Sequence, residues 1–247
     1  MAHPLYYTDC YATEFDATII ENPTPTSITL DTIGFYPTGG GQPFDTGTIQ
    51  SADGRIWAVQ NVTKSQGLIM HELDGPAPSP GTAVHCVIDW KRRFGHMRYH
   101  TSCHILCAVI HQKTKAMITG NQIGLDHTRI DFNLEPYDRS MIETAIQEAN
   151  EIIKKGLPIT LSVLTPEEAL KIPNLVKLED DRSEKWGQGP QMNPHGVRVV
   201  SIHGLDTQAC GGTHVKSTEE IGRILLERID NKGKSNRRVY FTIEPAP

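Results

Sequence analysis

Hydrophobic and polar residues alternate in short runs through the first third of the chain. Between about residues 14 and 88 these runs are separated by proline, glycine and aspartate, and none has the spacing of an amphipathic helix of useful length. A period of two residues is typical of strands with one buried face. We therefore predict a small β-barrel domain over residues 1–88, with strands centred on residues 14–20, 27–30, 56–59 and 84–88.

The pattern changes after residue 88. Asp89 is a plausible N-cap for a helix from Trp90 towards Lys115, with an interruption expected near Gly95. A second helix is predicted after Ser140, which forms a capping-box pattern with Glu143. Helices that alternate with strands, predicted to be antiparallel, indicate an α+β domain over residues 89–247. The predicted strands lie at residues 128–132, 159–163, 197–202, 222–229 and 237–243, and a charge run at residues 179–185 is predicted to be solvated.

The composition is that of a globular protein with a sizeable core. With 38% hydrophobic and 21% charged residues, the 247-residue chain differs from disordered and membrane-spanning sequences. Its N-terminal residues show neither the basic nor the apolar region of a secretory signal. Five scattered cysteines are an odd number, which favours reduced thiols or metal ligation over a disulfide framework. We therefore expect a cytoplasmic protein, and the sequence leaves open whether it is a monomer or a homodimer.

The predicted helix after Trp90 carries several candidate metal ligands. His96, His100 and His104 follow one another at intervals of four residues, which places them on one helical face. Spacing alone does not decide which two would bind. A comparable cluster, Cys210-Gly211-Gly212-Thr213-His214, follows a predicted strand about a hundred residues later. Because zinc accepts thiolate and imidazole together, we predict a His-His-Cys-His site.

Two hydrolase classes are excluded by the residues around these histidines. Thr101 follows His100 where a zinc metalloprotease helix has its general-base glutamate. The Pro-Cys-x-x-Cys turn of the zinc deaminases is also missing. A site in which all four residues bind would be closed, whereas one free position would admit substrate. The sequence leaves this choice open.

The glycine-rich loop, residues 34–47, is a second candidate functional segment. Gly39, Gly40 and Gly41 remove every side chain where the backbone could approach another molecule, and Gln42 supplies both a donor and an acceptor. A hairpin connection would explain the glycines alone equally well. No Gly-Lys-Ser/Thr follows, so a phosphate-binding P-loop is excluded.

Charge gives a weaker indication of a partner. The formal net charge of −5 provides no overall attraction to nucleic acid, so an RNA would have to be held by local patches. Two basic patches are present in the sequence, and on charge alone an ordinary solvated surface explains both. They comprise Lys91, Arg92, Arg93 and Arg98 around the histidine helix, and Lys232, Lys234, Arg237 and Arg238 near the C-terminus.

Four motifs in a fixed order are specific enough to indicate a family. They are Gly39-Gly40-Gly41-Gln42, Met97-Arg98-x-His100-Thr101-x-x-His104, Cys210-Gly211-Gly212-Thr213-His214 and Gly233-Lys234-x-Asn236-Arg237-Arg238. Over about residues 35–243 the chain resembles the AlaX family of free-standing alanyl-tRNA editing proteins, related to the editing domain of alanyl-tRNA synthetase. The glycine-rich loop beside a β-domain is similar to the medium-length type. Ser102, Ile105 and Cys107 depart from the family's usual alanine and leucine without touching the ligands.

The resemblance implies a function and a set of site residues. The expected reaction is hydrolysis of the ester that joins serine, and also glycine, to the 3′ end of alanine tRNA. One Zn²⁺ per chain is expected at His100, His104, Cys210 and His214, with Gly39, Gly40, Gly41 and Gln42 shaping the pocket. Thr101 and Asp131 are expected to position substrate or ligands, and Lys232, Lys234, Arg237 and Arg238 to contact tRNA phosphates.

Two alternatives accompany this interpretation. The editing domain of threonyl-tRNA synthetase also uses a His-x3-His pair with a Cys-x3-His turn, although the glycine-rich loop and the Cys-Gly-Gly-Thr-His turn favour alanine. A non-catalytic RNA-binding module with a structural zinc would use the same four ligands. Loss of the metal would unfold such a module, whereas in an enzyme it would remove activity.

Overall fold

The computed structural model describes residues 4–65, 67–177 and 196–244. The chain divides into two compact units, Met1–His96 and Met97–Pro247, and the division falls inside one helix. The domain boundary expected between residues 88 and 89 stays a prediction. The charge run at residues 179–185 lies outside the described residues.

The first unit is built around a closed antiparallel barrel. In chain order its elements are a short helix α1 (Leu5–Thr8) and the strands β1 (Glu14–Thr24), β2 (Ser27–Leu30), β3 (Gly47–Ser51), β4 (Ile56–Ser65), β5 (Leu68–Leu73) and β6 (Ala83–Ile88). The strands pair in the order β1-β2-β5-β4-β3-β6, and β6 pairs with β1 to close the barrel. The barrel predicted from the sequence is confirmed.

Alternating side chains fill the barrel. Along β1, Phe15, Ala17 and Ile19 are buried while their neighbours are exposed or half-buried. The period-two pattern therefore records the two faces of the strand, as predicted. The strands β3 and β5 were not recognised in the sequence. Gly47–Ser51 has one isoleucine among small and polar residues, and its strand conformation depends on pairing with β4 and β6.

His71 is a polar side chain inside this apolar barrel. Its ring lies 5.6 Å from that of Phe35, and its Nδ1 is 3.4 Å from the Ile28 carbonyl oxygen. Among the described residues its Nε2 has no hydrogen-bond partner. Burial lowers the pKa of His71 to about 4, from 6.5. The neutral ring is therefore the form that fits the barrel.

This histidine predicts acid sensitivity of the fold. Because the unfolded chain binds the proton more tightly, the contribution of neutral His71 is complete above about pH 6.5 and is lost as the pH falls towards 4. Urea unfolding at pH 7.5 and pH 5 should show that the wild type loses about 2 kcal/mol more than His71→Gln over this range. Equal losses in the two proteins would exclude His71 as the source.

The second unit is α+β. The helix α2 (Trp90–Thr114) begins in the first unit and continues into the second. It is followed by β7 (Ile118–Gln122), β8 (Thr128–Asn133), α3 (Arg139–Lys154), β9 (Ile159–Leu164), α4 (Pro166–Leu170), β10 (Val197–Ile202), β11 (Asp206–Ala209), a 3-10 helix (Thr218–Ile221), β12 (Ile224–Asn231) and β13 (Asn236–Ile243). The strands form one sheet in the order β12-β13-β8-β7 and another in the order β11-β10-β9. All their pairings are antiparallel, which confirms the predicted fold class.

The helix α2 is almost entirely buried along its second half. Asp89 caps it, since the backbone N–H of Arg92 donates to Asp89 Oδ1 at 3.1 Å. The interruption expected at Gly95 is wrong, because α2 is continuous through that residue. A single glycine costs a helix about 1 kcal/mol, which burial of the following turns offsets. No helix in the described part of the chain is long and apolar enough to span a membrane.

The predicted cap of α3 is also corrected. The helix begins at Arg139, and Asp138 is its N-cap, accepting from the Ser140 N–H at 2.9 Å. Glu143 pairs with Arg139 Nε at 2.7 Å instead of returning to the backbone of Ser140. An aspartate two residues upstream therefore takes over the capping role.

Candidate metal centre

The first half of the centre lies on α2. His100 and His104 are one helical turn apart, their ring centroids are 5.2 Å apart, and both side chains are buried. The i,i+4 spacing brings the rings to the same face of the helix. The sequence pattern could not separate this pair from His96, which belongs to the first compact unit.

The second half lies on the turn after β11. β10 and β11 form a hairpin, and Cys210 follows it directly. The buried guanidinium of Arg198, on β10, donates through Nη1 to the carbonyl oxygens of Cys210 at 2.6 Å and Gly212 at 2.8 Å. The N–H of Gly212 lies 3.4 Å from Cys210 Sγ. These contacts fix the turn, and the Gly212 N–H donates to the sulfur.

The two halves meet in one compact cluster. One ligand atom from each of His100, His104, Cys210 and His214 lies within 4.8 Å of the other three. Cys210 Sγ is 3.5 Å from His100 Nε2 and 3.4 Å from His214 Nε2. A tetrahedron with Zn–S of ~2.3 Å and Zn–N of ~2.05 Å has sulfur-to-nitrogen edges of ~3.6 Å. These two distances therefore match the sulfur-to-nitrogen edges of a tetrahedral zinc site, and all four ligand atoms lie within 4.8 Å of one another.

Thr101 determines which nitrogen of His214 is available. Its hydroxyl lies 2.8 Å from the Met97 carbonyl oxygen, which can only accept, so the hydroxyl proton is used there. The 3.1 Å contact between Thr101 Oγ1 and His214 Nδ1 then requires Nδ1–H to donate. In the neutral ring this leaves the Nε2 lone pair free, on the side facing Cys210. A ligand histidine held through its other nitrogen is a regular feature of metal sites.

Burial keeps the imidazoles of His104 and His214 neutral. It lowers the pKa of His104 to about 4, with Lys177 and Arg198 acting in the same direction and Asp206 opposing them. Burial also holds the pKa of His214 well below its usual value, and the neighbouring His100 and His104 add to this effect. Neutral imidazole is the form that binds metals, so both rings are ready for ligation at neutral pH.

The other cysteines of α2 behave as core residues. Cys103 and Cys107 are buried, and neither belongs to the four-residue cluster. Burial raises the pKa of Cys107 to about 12 and that of Cys103 well above its usual range. The expectation that Cys103 does not compete for metal, because it lies about 100° around the helix from His104, agrees with this.

The glycine-rich loop lies in the first unit and contains a tight turn. Gly39 and Gln42 pair through two backbone hydrogen bonds of 3.0 Å, and the residues between them, Gly40 and Gly41, have φ of 59° and 82°. Positive φ at both central positions defines a type I′ turn, which favours glycine. Gly39 has no such requirement. The side chain of Gln42 is fully buried.

Asp131 and the predicted tRNA-binding residues lie on or near the sheet of β12, β13, β8 and β7. Asp131, on β8, accepts two hydrogen bonds from Arg238, of 2.8 and 2.7 Å, and one from Arg129. Arg237 folds back to donate to the backbone of the β12–β13 turn. Lys232 and Lys234 are exposed on this turn. The two arginines are thus engaged within the protein, whereas the two lysines project from it.

Some residues that shape the centre were missed in the sequence. Arg198 interrupts an otherwise apolar strand, and a buried charge in such a run was the available signal. Lys177 is buried and donates to both Asp206 oxygens at 2.7 Å, and Asp206 also accepts from Gln208. This second network had no local sequence signal, because Lys177 and Asp206 are 29 positions apart.

Comparisons with known proteins agree with the geometry. The family model described as "Threonyl and Alanyl tRNA synthetase second additional domain" matches residues 197–240, and the model "tRNA synthetases class II (A)" matches residues 9–92. The alanyl-tRNA editing protein AlaX-M of Methanosarcina barkeri is 42% identical over 98% of this chain and 99% of its own length. AlaX-M of Saccharolobus solfataricus is 40% identical over 99% of this chain and 100% of its own. An alanine–tRNA ligase of Pyrococcus furiosus is 34% identical over 96% of this chain, which corresponds to 25% of the ligase. The chain therefore belongs to the AlaX-M family of alanyl-tRNA editing proteins.

Proposed function

We propose that this protein is a trans-editing hydrolase that deacylates alanine tRNA mischarged with serine, and also with glycine. The observation that carries the proposal is the convergence of three buried histidines, from a helix and a distant turn, on the half-buried Cys210; the histidines are His100, His104 and His214. The choice of alanine tRNA as the substrate rests on the relatives, which are named alanyl-tRNA editing proteins.

The physical need for such an enzyme follows from the size of the amino acids. A pocket built for alanine cannot exclude the smaller glycine, and it rejects serine only weakly for one added hydroxyl. A second site that hydrolyses the wrong ester restores the discrimination. The editing site must in turn spare alanine.

Zinc is the metal that the ligands favour. One thiolate and three neutral imidazoles form a borderline-soft donor set, which suits Zn²⁺ and disfavours Mg²⁺ or Ca²⁺. When bound, Zn²⁺ would supply a Lewis acid for the ester carbonyl once one of the four side chains stands off or a fifth coordination position opens. The four side chains bind the metal, and Thr101 keeps the His214 proton on Nδ1, away from the ligand position.

The remaining predicted site residues have separate roles in this proposal. The Gly39 to Gly41 turn offers exposed backbone to the aminoacyl end, and Gln42 supports the turn from its buried position. Asp131 acts through Arg238, which it orients on the sheet. Lys232 and Lys234 contact tRNA phosphates, while Arg237 and Arg238 hold the surface that presents them.

Removing the Thr101 hydroxyl should weaken metal binding. In Thr101→Val the side chain keeps its shape but no longer accepts from His214 Nδ1, so the ring loses its fixed orientation. We expect zinc affinity to fall about 10- to 100-fold, as measured by competition with a chromophoric chelator. Thr101→Ser keeps the hydroxyl and should stay within a few-fold of the wild type. Equal affinity in the valine variant would rule out this role.

Neutralising the two hairpin lysines should weaken tRNA binding without changing the chemistry. For Lys232→Gln/Lys234→Gln we expect a higher KM, an unchanged kcat, and a slope of log KM against log salt reduced by about 2, one for each lost phosphate contact. Lys154→Gln is the matched control, because Lys154 is also exposed but lies on α3 and pairs with Glu151. An unchanged salt slope in the double variant would place the tRNA elsewhere.

The proposed function is tested by a panel of aminoacylated tRNAs. The purified protein should release serine and glycine from alanine tRNA with a kcat/KM about 100-fold or more above that for alanine. Faster hydrolysis of seryl-tRNA(Thr) than of seryl-tRNA(Ala) would instead favour the threonyl type of editing. No hydrolysis of any substrate by zinc-loaded protein would contradict the proposal and favour a non-catalytic module.

A further inference from the structure

An ion pair between Arg93 and Asp45 lies completely inside the first unit. Both side chains are 0% exposed. Arg93 belongs to the first turn of α2, and Asp45 lies near the end of the glycine-rich loop. Buried charges of this kind need many well-placed partners, because removing both groups from water is costly.

Asp45 joins the two sides of the loop. Its Oδ2 accepts from the Tyr36 N–H at 2.6 Å, from Arg93 Nε at 2.8 Å and from Arg93 Nη2 at close range. The backbone N–H of Asp45 donates to the Tyr36 carbonyl oxygen at 3.0 Å. Hydrogen bonds between Tyr36 and Asp45 therefore join the two ends of the segment between them, and Arg93 connects Asp45 to α2.

Arg93 and its neighbour Arg92 also donate hydrogen bonds to backbone carbonyl oxygens of the first unit. Arg93 donates to the carbonyl oxygens of Gly34 at 2.8 Å and Cys10 at 3.2 Å. Arg92 Nε donates to the Phe44 carbonyl oxygen at 2.9 Å. The guanidinium groups thus hold the chain before and after the glycines, through backbone oxygens whose positions define the loop.

The contacts continue from the base to the glycine turn. The hydroxyl of Tyr36 donates to the Gly39 carbonyl oxygen at 2.9 Å, and Gly39 pairs with Gln42 across the type I′ turn. A continuous series of hydrogen bonds thus runs from Arg93 through Asp45 and Tyr36 to Gly39. Each step is directional, and the series links the glycine turn to the ion pair.

We propose that Arg93 and Asp45 are a positioning pair that holds the glycine-rich loop in the shape needed to receive the aminoacyl end of the tRNA. This inference rests on the proposed function, in which that loop shapes the pocket. Asp45 Oδ1 has no hydrogen-bond partner among the described residues, so only one of the two carboxylate oxygens accepts hydrogen bonds there. The hydrogen bonds from Arg93 and from the Tyr36 N–H are all made to the other oxygen, Oδ2.

The test compares Asp45→Asn and Arg93→Lys with a core variant, Ile49→Ala. Asparagine at position 45 keeps the shape of the side chain but removes its negative charge. Lysine at position 93 keeps the positive charge but lacks the two guanidinium nitrogens that donate to the carbonyl oxygens of Gly34 and Cys10. Ile49 is fully buried in the core of the barrel and belongs to none of the hydrogen bonds described above, so its truncation lowers stability while leaving those bonds in place. For each variant we would measure thermal unfolding, zinc content, deacylation of seryl-tRNA(Ala), and hydrogen exchange of the Tyr36, Gly39, Gln42 and Asp45 amides in the free protein.

We expect both pair variants to lose about tenfold or more in kcat/KM, with wild-type zinc content and at least tenfold faster exchange of the loop amides. Ile49→Ala should keep the loop protection and the activity at a similar loss of melting temperature. Unchanged loop exchange in Asp45→Asn would overturn the proposal, as would an activity loss in Ile49→Ala equal to that of the pair variants. If the wild type fails to deacylate any tRNA, the proposed function falls, while the exchange result still decides whether the pair holds the loop.

Discussion

Replacing Cys210 with alanine is expected to abolish both zinc binding and deacylation. Cys210 Sγ lies 3.5 Å from His100 Nε2 and 3.4 Å from His214 Nε2, so its loss opens one corner of the proposed coordination tetrahedron. It also removes the only thiolate in the donor set, which contributes strongly to zinc affinity. Zinc per chain, measured by mass spectrometry, should fall towards zero, and kcat/KM for seryl-tRNA(Ala) should fall by roughly 10³-fold or more.

Cys107 provides the matched control for this experiment. Its side chain is fully buried on α2, the helix that carries His100 and His104, but it is not part of the cluster. Cys107→Ala should therefore cost only the packing of one sulfur, on the order of 1 kcal/mol, and keep its zinc. Wild-type zinc content in Cys210→Ala, or equal zinc loss in both variants, would contradict the ligand assignment.

Replacing Arg198 with methionine is expected to release the Cys210 turn. Arg198 is buried, and its Nη1 bonds the carbonyl oxygens of Cys210 and Gly212. Hydrogen bonds from a charged donor contribute about 1.5 to 3 kcal/mol each, and the two carbonyls would lose this donor inside the protein. We expect a loss of about 3 kcal/mol in the free energy of unfolding and a 10- to 100-fold loss of zinc affinity.

Two further variants separate the role of Arg198 from a general loss of charge. Arg198→Lys keeps the charge but cannot reproduce the planar guanidinium geometry, so its zinc affinity should be intermediate. Arg129→Met removes a partly exposed arginine from β8, in the other sheet of the same unit, and should leave zinc affinity unchanged. Wild-type zinc affinity in Arg198→Met would show that the turn holds its shape without this side chain.

Local patterns in the sequence predicted much of the fold. The period-two runs identified β1, β2, β4 and β6, and the helix predicted after Ser140 corresponds to α3. The helix α4 has a local signal of the same kind, since Thr165 Oγ1 accepts a hydrogen bond from the Glu168 N–H. These features depend on neighbours a few residues away, so a single sequence contains the information.

The features that were missed depend on distant partners. β3 becomes a strand through its pairing with β4 and β6. The cap of α3 is a local exception, because only the backbone conformation decides between Asp138 and Ser140. The Arg93–Asp45 pair joins residues 48 positions apart, and no periodicity links them. The four residues of the candidate metal cluster were predicted because their residue types, rather than their positions, are informative.

We propose that one cluster holds the metal needed for editing, and its members are His100, His104, Cys210 and His214. Its most direct test is the rate of seryl-tRNA(Ala) deacylation by one preparation of the full chain in three states: as purified, after removal of metal with a chelator, and after addition of one equivalent of Zn²⁺. Circular dichroism would be recorded in each state. We predict that activity disappears on chelation and returns with Zn²⁺, and that alanyl-tRNA(Ala) is spared throughout. Undiminished deacylation by metal-free, folded protein would contradict the account.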